Sequence, residues 1–428
     1  MKRHRIRNAF LCLAFIALAA IGILALRSYA AVDKAEQLIQ HGFWDAARRE
    51  LNSYFWLHPH DGRARLLMAE SLVRDDRLPA RQSVPAALEQ LQHVKDDSTY
   101  AARARTEQGR LEFLLLHKPA AAEKLFRRAC DLDPALASPD YMLWKLFELT
   151  GRAHLASDVF WKMYELTPAD QQPQRLREWY ISQFYPGTAT RALDQQMGFL
   201  TAPEESLSKI EARRFFEFRK TEPHAPLGHA ALASWFRIKG NPQGALETLE
   251  EGMKKATGAL QDEYFVTVLV ATLMDLGEFE RAQYYFDRWP EPRQGYEYLL
   301  AEAIVLDEIK QRPEDAASCY EEASHQWPGP VDWRTRFRYA NCLARVGQMQ
   351  AADRVRDSAR KIEEYMREEA QAPVVAALDH LDDAHSLGEI VTFYRRLDCQ
   401  READAWQEVL QRVKAQPGRA FPSSSPTK

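Results

Sequence analysis

After about residue 30 the chain alternates between short amphipathic segments, whose apolar residues recur every three or four positions, and brief polar turns. Residues three and four apart lie on the same side of a helix, so this spacing predicts helices with one apolar face. The sequence has no sustained alternation of β-branched and polar residues, which would predict strands. The pattern therefore predicts an all-α protein.

A glycine followed five residues later by an alanine separates two such segments at five places. The pairs are Gly42/Ala47, Gly151/Ala156, Gly240/Ala245, Gly277/Ala282 and Gly347/Ala352. A glycine just past a helix can adopt the left-handed conformation that turns the chain, and a small residue one turn into the next helix allows close approach. The residues four positions after the alanines are Leu51, Phe160, Leu249, Phe286 and, as the exception to a bulky apolar residue, Arg356. The spacing predicts antiparallel helical hairpins.

Two consecutive hairpins also repeat at a fixed distance. The residues that return 34 positions later are Ala122, Phe126 and Pro134, as Ala156, Phe160 and Pro168. A helix-turn-helix of this period closed by proline is the signature of the tetratricopeptide repeat. The chain resembles that family, although the family's Trp-x-x-Leu-Gly opening is largely missing. The resemblance implies an α-solenoid of antiparallel hairpins, wound as a right-handed superhelix, that binds protein or peptide partners on its concave surface.

The hairpin pattern predicts an order of segments along the chain. The repeat units are placed at 28–61, 62–102, 103–136, 137–170, 226–259, 263–296, 297–330 and 333–366. The predicted domains are a basic N-terminus (1–8), a transmembrane helix (9–26), an N-terminal array (28–170), a divergent segment (171–225), a C-terminal array (226–366), capping helices (367–413) and a disordered tail (414–428). The divergent segment is either one or two degenerate hairpins or a hinge between the arrays.

The eighteen residues at 9–26 carry no charge, and as a helix they would span roughly 27 Å, close to the thickness of a bilayer core. Lys2, Arg3, Arg5 and Arg7 precede them, so the positive-inside rule predicts a cytoplasmic N-terminus and an extracytoplasmic body. We therefore expect a single-pass protein of the cytoplasmic membrane. The alternative is a signal peptide cleaved after Ala30, which would release a secreted binder.

Positions one and four of the first helix in each unit are expected to line the concave surface. They supply aromatic and basic candidates for a partner-binding groove, namely Tyr141, Tyr264, Tyr298, Arg334 and Phe337. Rigid aromatic side chains suit protein recognition, although the same tyrosines would also suit the core.

Some family members hold a partner's C-terminal carboxylate with Lys, Arg and Asn on consecutive first helices. Only the unit at 333–366 resembles that clamp, through Arg334, Arg338, Asn341 and Arg345. Earlier units have other residues at the place of Asn341, so the multi-helix clamp is not reproduced. A local anion-binding patch and a solvated basic face both remain open.

Two clusters combine histidine with carboxylates. They are His58, His60 and Asp61, and Asp379, His380, Asp383 and His385. A zinc site needs three or four converging ligands, which neither spacing provides, so we expect turn and surface residues and no bound metal.

The net charge of −4 and the pI near 6.3 argue against a nucleic-acid partner. The sequence contains neither a Gly-x-Ser-x-Gly elbow nor a Gly-x-x-x-x-Gly-Lys phosphate loop. We therefore expect a non-enzymatic scaffold for protein partners, without cofactor or small-molecule substrate, in envelope assembly or secretion. The alternative is a metal-using enzyme or regulatory subunit embedded in the array at 171–225 or 379–385.

Overall fold

The computed structural model describes residues 30–200, 202 and 205–415. The predicted basic N-terminus and transmembrane helix lie outside these residues, as does the predicted tail beyond residue 415. Among the residues that are described, no helix combines the length and the apolar character needed to cross a bilayer.

The described part of the chain is helical and contains no strand, which confirms the all-α prediction there. In chain order the helices are α1 (30–40), α2 (Trp44–Phe55), α3 (Gly62–Val73), α4 (Ala80–Gln92), α5 (Ala101–Arg110), α6 (Pro119–Leu132), α7 (Ala137–Leu149), α8 (Ala153–Leu166), α9 (Gln172–Phe184), α10 (Pro186–Gln196), α11 (Leu207–Thr221), α12 (Pro226–Ile238), α13 (Pro242–Lys255), α14 (Glu263–Asp275), α15 (Phe279–Phe286), α16 (Tyr296–Ile304), α17 (Pro313–Ser324), α18 (Trp333–Arg345), α19 (Met349–Tyr365), α20 (Glu368–Ala377), α21 (Ala384–Arg396) and α22 (Gln400–Ala415). The predicted tail therefore begins too early, because α22 continues to Ala415.

The helices form two compact units. The first contains the chain through Leu115 together with Lys124–Pro134, and the second contains Leu116–Glu123 and the chain from Ala135 onward. These limits differ from the N-terminal array at 28–170 and the C-terminal array at 226–366, which stay predictions.

The glycine turns and the buried alanines are confirmed at all five positions. The left-handed glycines are Gly42, Gly151, Gly240, Gly277 and Gly347, with φ between 73° and 80°. The paired alanines, Ala47, Ala156, Ala245, Ala282 and Ala352, are all buried. Each glycine ends a first helix, and each alanine lies where the second helix crosses it, so the spacing read from the sequence corresponds to real hairpins.

Three hairpins make the same left-handed turn without glycine. The residues with positive φ are His117, Gln311 and Asp398. Before His117 and Gln311 the first helix widens into a π-helical turn, at Leu111–Leu115 and Val305–Ile309. The left-handed turn is therefore a property of the repeat geometry, and glycine is only its most favourable occupant.

The second unit departs from a simple solenoid, in which each repeat contacts only its sequence neighbours. Helix α22 packs against α9, more than two hundred residues earlier in the chain. Arg412 of α22 donates to the carbonyl of Ala169 over 2.8 Å, and Arg177 of α9 pairs with Asp379 over 2.9 Å. The helices predicted as a cap at 367–413 thus pack on one side against residues of the predicted divergent segment.

Segment 171–225 is helical in α9, α10 and α11. Its apolar residues Leu176, Trp179 and Tyr180 are fully buried. Trp179 stacks on Phe160 of α8, with ring centroids 4.5 Å apart, and lies 5.6 Å from the ring of Trp327. Helix α9 therefore contributes three large buried side chains to the core of the second unit.

Candidate functional site

Tyr264 of the predicted groove is a core residue of the second unit. Its side chain is buried, and its hydroxyl donates to the Thr150 carbonyl over 2.6 Å. Thr150 ends α7, whereas Tyr264 lies in the first turn of α14, so the bond joins two repeats that are 114 residues apart. Burial raises the pKa of Tyr264 to about 12. Tyr264 is therefore buried between two repeats, whereas a residue that lines an open groove would be exposed.

Tyr141 and Tyr298 are partly buried in separate aromatic clusters. Tyr141 packs edge-on against Trp144, and the guanidinium of Arg175 lies 4.9 Å from its ring centre. Tyr298 stacks on Phe286, with ring centroids 5.5 Å apart. Both tyrosines therefore contribute to packing between helices, and a role in partner binding remains a prediction.

The basic residues of α18 do share one exposed face. Arg334, Arg338, Asn341 and Arg345 are all exposed and follow one another at helical spacing. Arg338 pairs with Glu308 over 2.7 Å, and Arg345 pairs with Asp307 of the same preceding repeat. The two carboxylates balance much of the positive charge, which favours a solvated face over an anion-binding patch.

The other two predicted residues of this unit lie beside that face. Phe337 is partly buried and contacts the ring of Trp333 edge-on, while the Arg334 guanidinium lies 4.6 Å from the centre of the same ring. The ring of Trp333, the first residue of α18, thus contacts both Phe337 and Arg334.

The two histidine and carboxylate clusters serve as helix starts and turns. Asp61 accepts hydrogen bonds from the amide of Ala64 and the hydroxyl of Tyr54, and Asp383 accepts one from the amide of Ser386. Such bonds cap helix N-termini. Within the described residues, no group of three or more His, Cys, Asp or Glu side chains could hold a metal ion.

The second unit contains a cavity of about 610 Å³ between helices that are distant in sequence. Its walls are the first half of α8, the N-terminal ends of α14, α16 and α22, and the segment 325–330 that precedes α18. We refer to this space as the α8–α22 cavity. It lies in the second unit, beside the packing of α22.

The lining of the α8–α22 cavity is aromatic and acidic. The aromatic residues are Trp161, Tyr296 and Trp327, and the carboxylic acids are Asp158, Glu263, Asp398 and Glu402. The cavity also contains one arginine, Arg401, together with His154 and His325. Arg401 stacks on Trp161 at 4.6 Å and pairs with Glu165 over 3.4 Å, so part of its charge is already balanced. The carboxylates therefore dominate the electrostatic character of the space.

Glu402 is the most constrained of these acids. It is only 6% exposed, and its Oε1 atom accepts hydrogen bonds from Trp179 Nε1 and Gln183 Nε2, both over 3.2 Å. Burial raises the pKa of the Glu402 carboxyl above its ordinary value, and the two hydrogen bonds oppose that shift only in part. Burial likewise raises the pKa of Glu263. A cation placed in the cavity would stabilise the ionised form of both groups.

Sequence reasoning missed the cavity because its residues come from five separate helix ends that only the long-range packing of α9 and α22 brings together. The available signal was an excess of tryptophans outside the repeat positions: Trp161, Trp179 and Trp327. Such residues indicate extra packing beyond one hairpin, but not between which hairpins.

Paired helices joined by left-handed turns define a helical-repeat protein of tetratricopeptide-like type. No protein-family model and no curated protein matches the chain. Several solved structures are similar at low identity. A structure of PilF from Pseudomonas aeruginosa is 16% identical, with a TM-score of 0.28, over 57% of this chain and 97% of that chain.

Two further solved structures show the same low similarity. The APC/C hetero-tetramer Cut9–Hcn1 is 12% identical with a TM-score of 0.32, over 90% of this chain and 87% of that chain. A tetratricopeptide repeat protein from Parabacteroides merdae is 13% identical with a TM-score of 0.29, over 68% and 98% of the two chains. The repeat architecture therefore rests on the helix pairs and turns of this chain itself.

Proposed function

We propose that the protein is a non-enzymatic helical-repeat scaffold, anchored in the cytoplasmic membrane by residues 9–26, that binds a protein partner on the extracytoplasmic side. The observation that carries the binding role is the α8–α22 cavity, because a space of about 610 Å³ accommodates a few side chains of a partner segment. The anchor and its orientation are supported by the uncharged stretch at 9–26 and the basic residues before it. Envelope assembly or secretion is the setting that this topology suggests.

The lining of the cavity supports a particular chemistry for the partner segment. Arg401 already stacks on Trp161. The carboxylates of the lining and the ring of Trp327 favour a basic side chain flanked by apolar residues, since a cation is attracted both to an acid and to an aromatic ring. The raised pKa values of Glu263 and Glu402 have the same implication, because an incoming cation relieves the electrostatic penalty of ionising them.

A peptide-binding measurement tests the cavity. The full chain in detergent is titrated with two sets of short apolar peptides that differ only in a central lysine or glutamate. We expect the lysine peptides to bind, and the double variant Asp158→Asn/Glu263→Gln to weaken that binding by about tenfold or more, a loss of about 1.4 kcal/mol. The matched control is Asp357→Asn, an exposed acid outside the cavity, which should bind normally.

Equal binding of the glutamate peptides, or unchanged binding by the double variant, would contradict the proposed site. The anchor is tested separately by intact mass. A chain that retains residues 9–26 in the membrane fraction supports the anchored form, whereas a mature chain beginning after Ala30 supports the secreted alternative.

A further inference from the structure

The turn that follows α2 carries two apolar side chains that project into solvent. Trp56 is 89% exposed and Leu57 is 54% exposed. Among the exposed large apolar side chains of the described residues, Trp56 has the highest exposed fraction. Water surrounds an indole and a leucine side chain here although burial of either would be favourable, so the turn has the character of a contact surface.

The register of the first hairpin places this turn beside the start of α1. Helices α1 and α2 are antiparallel, and Lys34 of α1 pairs with Glu50 of α2 over 2.5 Å. Because the helices are antiparallel, each residue before Lys34 in α1 lies level with one residue after Glu50 in α2. Residue 30 is therefore level with Tyr54, which shares a core cluster with Val32, and Trp56 lies just beyond.

The same end of the hairpin is where the uncharged stretch joins the body of the protein. That stretch ends at residue 26, and four residues of extended chain reach at most about 14 Å. If residues 9–26 cross a bilayer, the start of α1 is held within that distance of the point where the chain leaves the hydrocarbon, and Trp56 and Leu57 lie at the same end of the hairpin. Tryptophan is enriched at this depth, where its ring meets the apolar boundary and its N–H meets polar headgroups.

The charged side chains next to the turn are held by contacts within the protein. Arg65 lies over the ring of Phe55 at 4.0 Å and donates to the carbonyl of Pro59 over 3.0 Å, which places its guanidinium next to the turn. Asp61, the carboxylate of the turn, is occupied by the amide of Ala64 and the hydroxyl of Tyr54. Arg65 also donates to the side chain of Gln90, so both charged groups are engaged within the protein, and the large apolar side chains that the turn exposes are those of Trp56 and Leu57.

We propose that the Trp56–Leu57 turn rests in the headgroup region of the bilayer as a second membrane contact, beside the anchor. This inference depends on the anchor of the proposed function and adds an orientation to it. The first hairpin then stands on the membrane with the α2–α3 turn toward the lipid and the α1–α2 turn, with Phe43, away from it. Phe43 is 61% exposed and lies about 20 Å from Trp56 along α2.

Quenching by brominated lipids tests this arrangement in the full chain. The protein is reconstituted into phosphatidylcholine vesicles with or without bromine on the acyl chains near the headgroup. The variants are Trp56→Phe and Trp56→Phe/Phe43→Trp, which moves one exposed indole to the opposite end of the same helix. We expect brominated lipid to quench a fluorescence component of the wild type that Trp56→Phe lacks and that Phe43→Trp does not restore.

Each other outcome overturns the inference in a recognisable way. If the chain floats with the vesicles but wild type and Trp56→Phe are quenched equally, the anchor stands and the turn does not touch lipid. If the indole at position 43 is quenched as strongly as Trp56, the hairpin lies flat and the orientation is wrong. If Trp56 resists both lipid and acrylamide quenching, a second protein copy covers it. If the chain does not float, the anchor itself fails, and the lipid contact with it.

Discussion

The hydrogen bond between Tyr264 and Thr150 shows whether Tyr264 is buried between two repeats or lines an open groove. The change Tyr264→Phe keeps the aromatic ring and removes only the hydroxyl, whose 2.6 Å bond to the Thr150 carbonyl is buried. A typical hydrogen bond contributes about 1 kcal/mol, but removing one partner so that a buried carbonyl is left unsatisfied costs about 1 to 3 kcal/mol in all. We therefore expect the free energy of unfolding to fall by about 2 kcal/mol.

Urea denaturation of the full chain, followed by circular dichroism, measures this loss. Hydrogen exchange by mass spectrometry should also show faster exchange at the end of α7 and the first turn of α14, where the two partners lie. The matched control is Tyr284→Phe on α15, whose side chain is 51% exposed, and its effect should stay within about 0.5 kcal/mol. If Tyr264→Phe is as neutral as the control, the bond is not made, and Tyr264 faces an open groove as the repeat register predicts.

Three further predictions concern single residues. Gly277→Ala should cost about 1 kcal/mol in urea denaturation, because φ is +73° while no heavy atom lies within 4 Å of the added Cβ, so the loss is purely conformational. Asp75→Asn should destabilise the first unit by about 2 kcal/mol, since it removes the buried carboxylate that pairs with Arg48 while Asp45 still pairs with that arginine, whereas the exposed neighbour Asp76→Asn should be neutral. Burial holds the pKa of Glu402 in the folded state above its unfolded value, so the folded state binds the proton more tightly and stability falls as the pH rises between the two values. Glu402→Gln, which never ionises, should therefore raise the melting temperature near pH 7 and leave it nearly unchanged near pH 4, and equal effects at both would refute the shift.

Much of the local structure could be read from the sequence because the signals are local. A left-handed glycine and an alanine at a helix crossing are five residues apart, so both lie within one hairpin, and their burial and φ values agree with the pattern. The turns at His117, Gln311 and Asp398 could not be found in this way, since the backbone conformation there is imposed by the helices on either side and leaves no glycine in the sequence.

The candidate site could not be predicted for a related reason. The position of Tyr264 in a repeat shows which side of α14 it occupies, but not what that side faces. What that side faces depends on whether later helices pack against much earlier helices of the same chain, and repeat spacing contains no information on such packing. Trp179 and Glu402 carry part of this information, as a large aromatic residue and a buried acid outside the repeat pattern, but their 3.2 Å contact spans 223 residues.

The closure of the second unit changes how its stability is distributed. In an open array each hairpin depends mainly on its two neighbours, so removing the last hairpin affects only the end. Here α22 contacts α9, and α9 supplies the tryptophan that stacks on α8, so loss of α22 exposes the core near the middle of the chain. The α22 end of this contact, Glu402, also lines the α8–α22 cavity. Glu402 therefore links the packing of α22 on α9 to the cavity, and a partner segment of the kind proposed for the cavity should also hold α22 against α9.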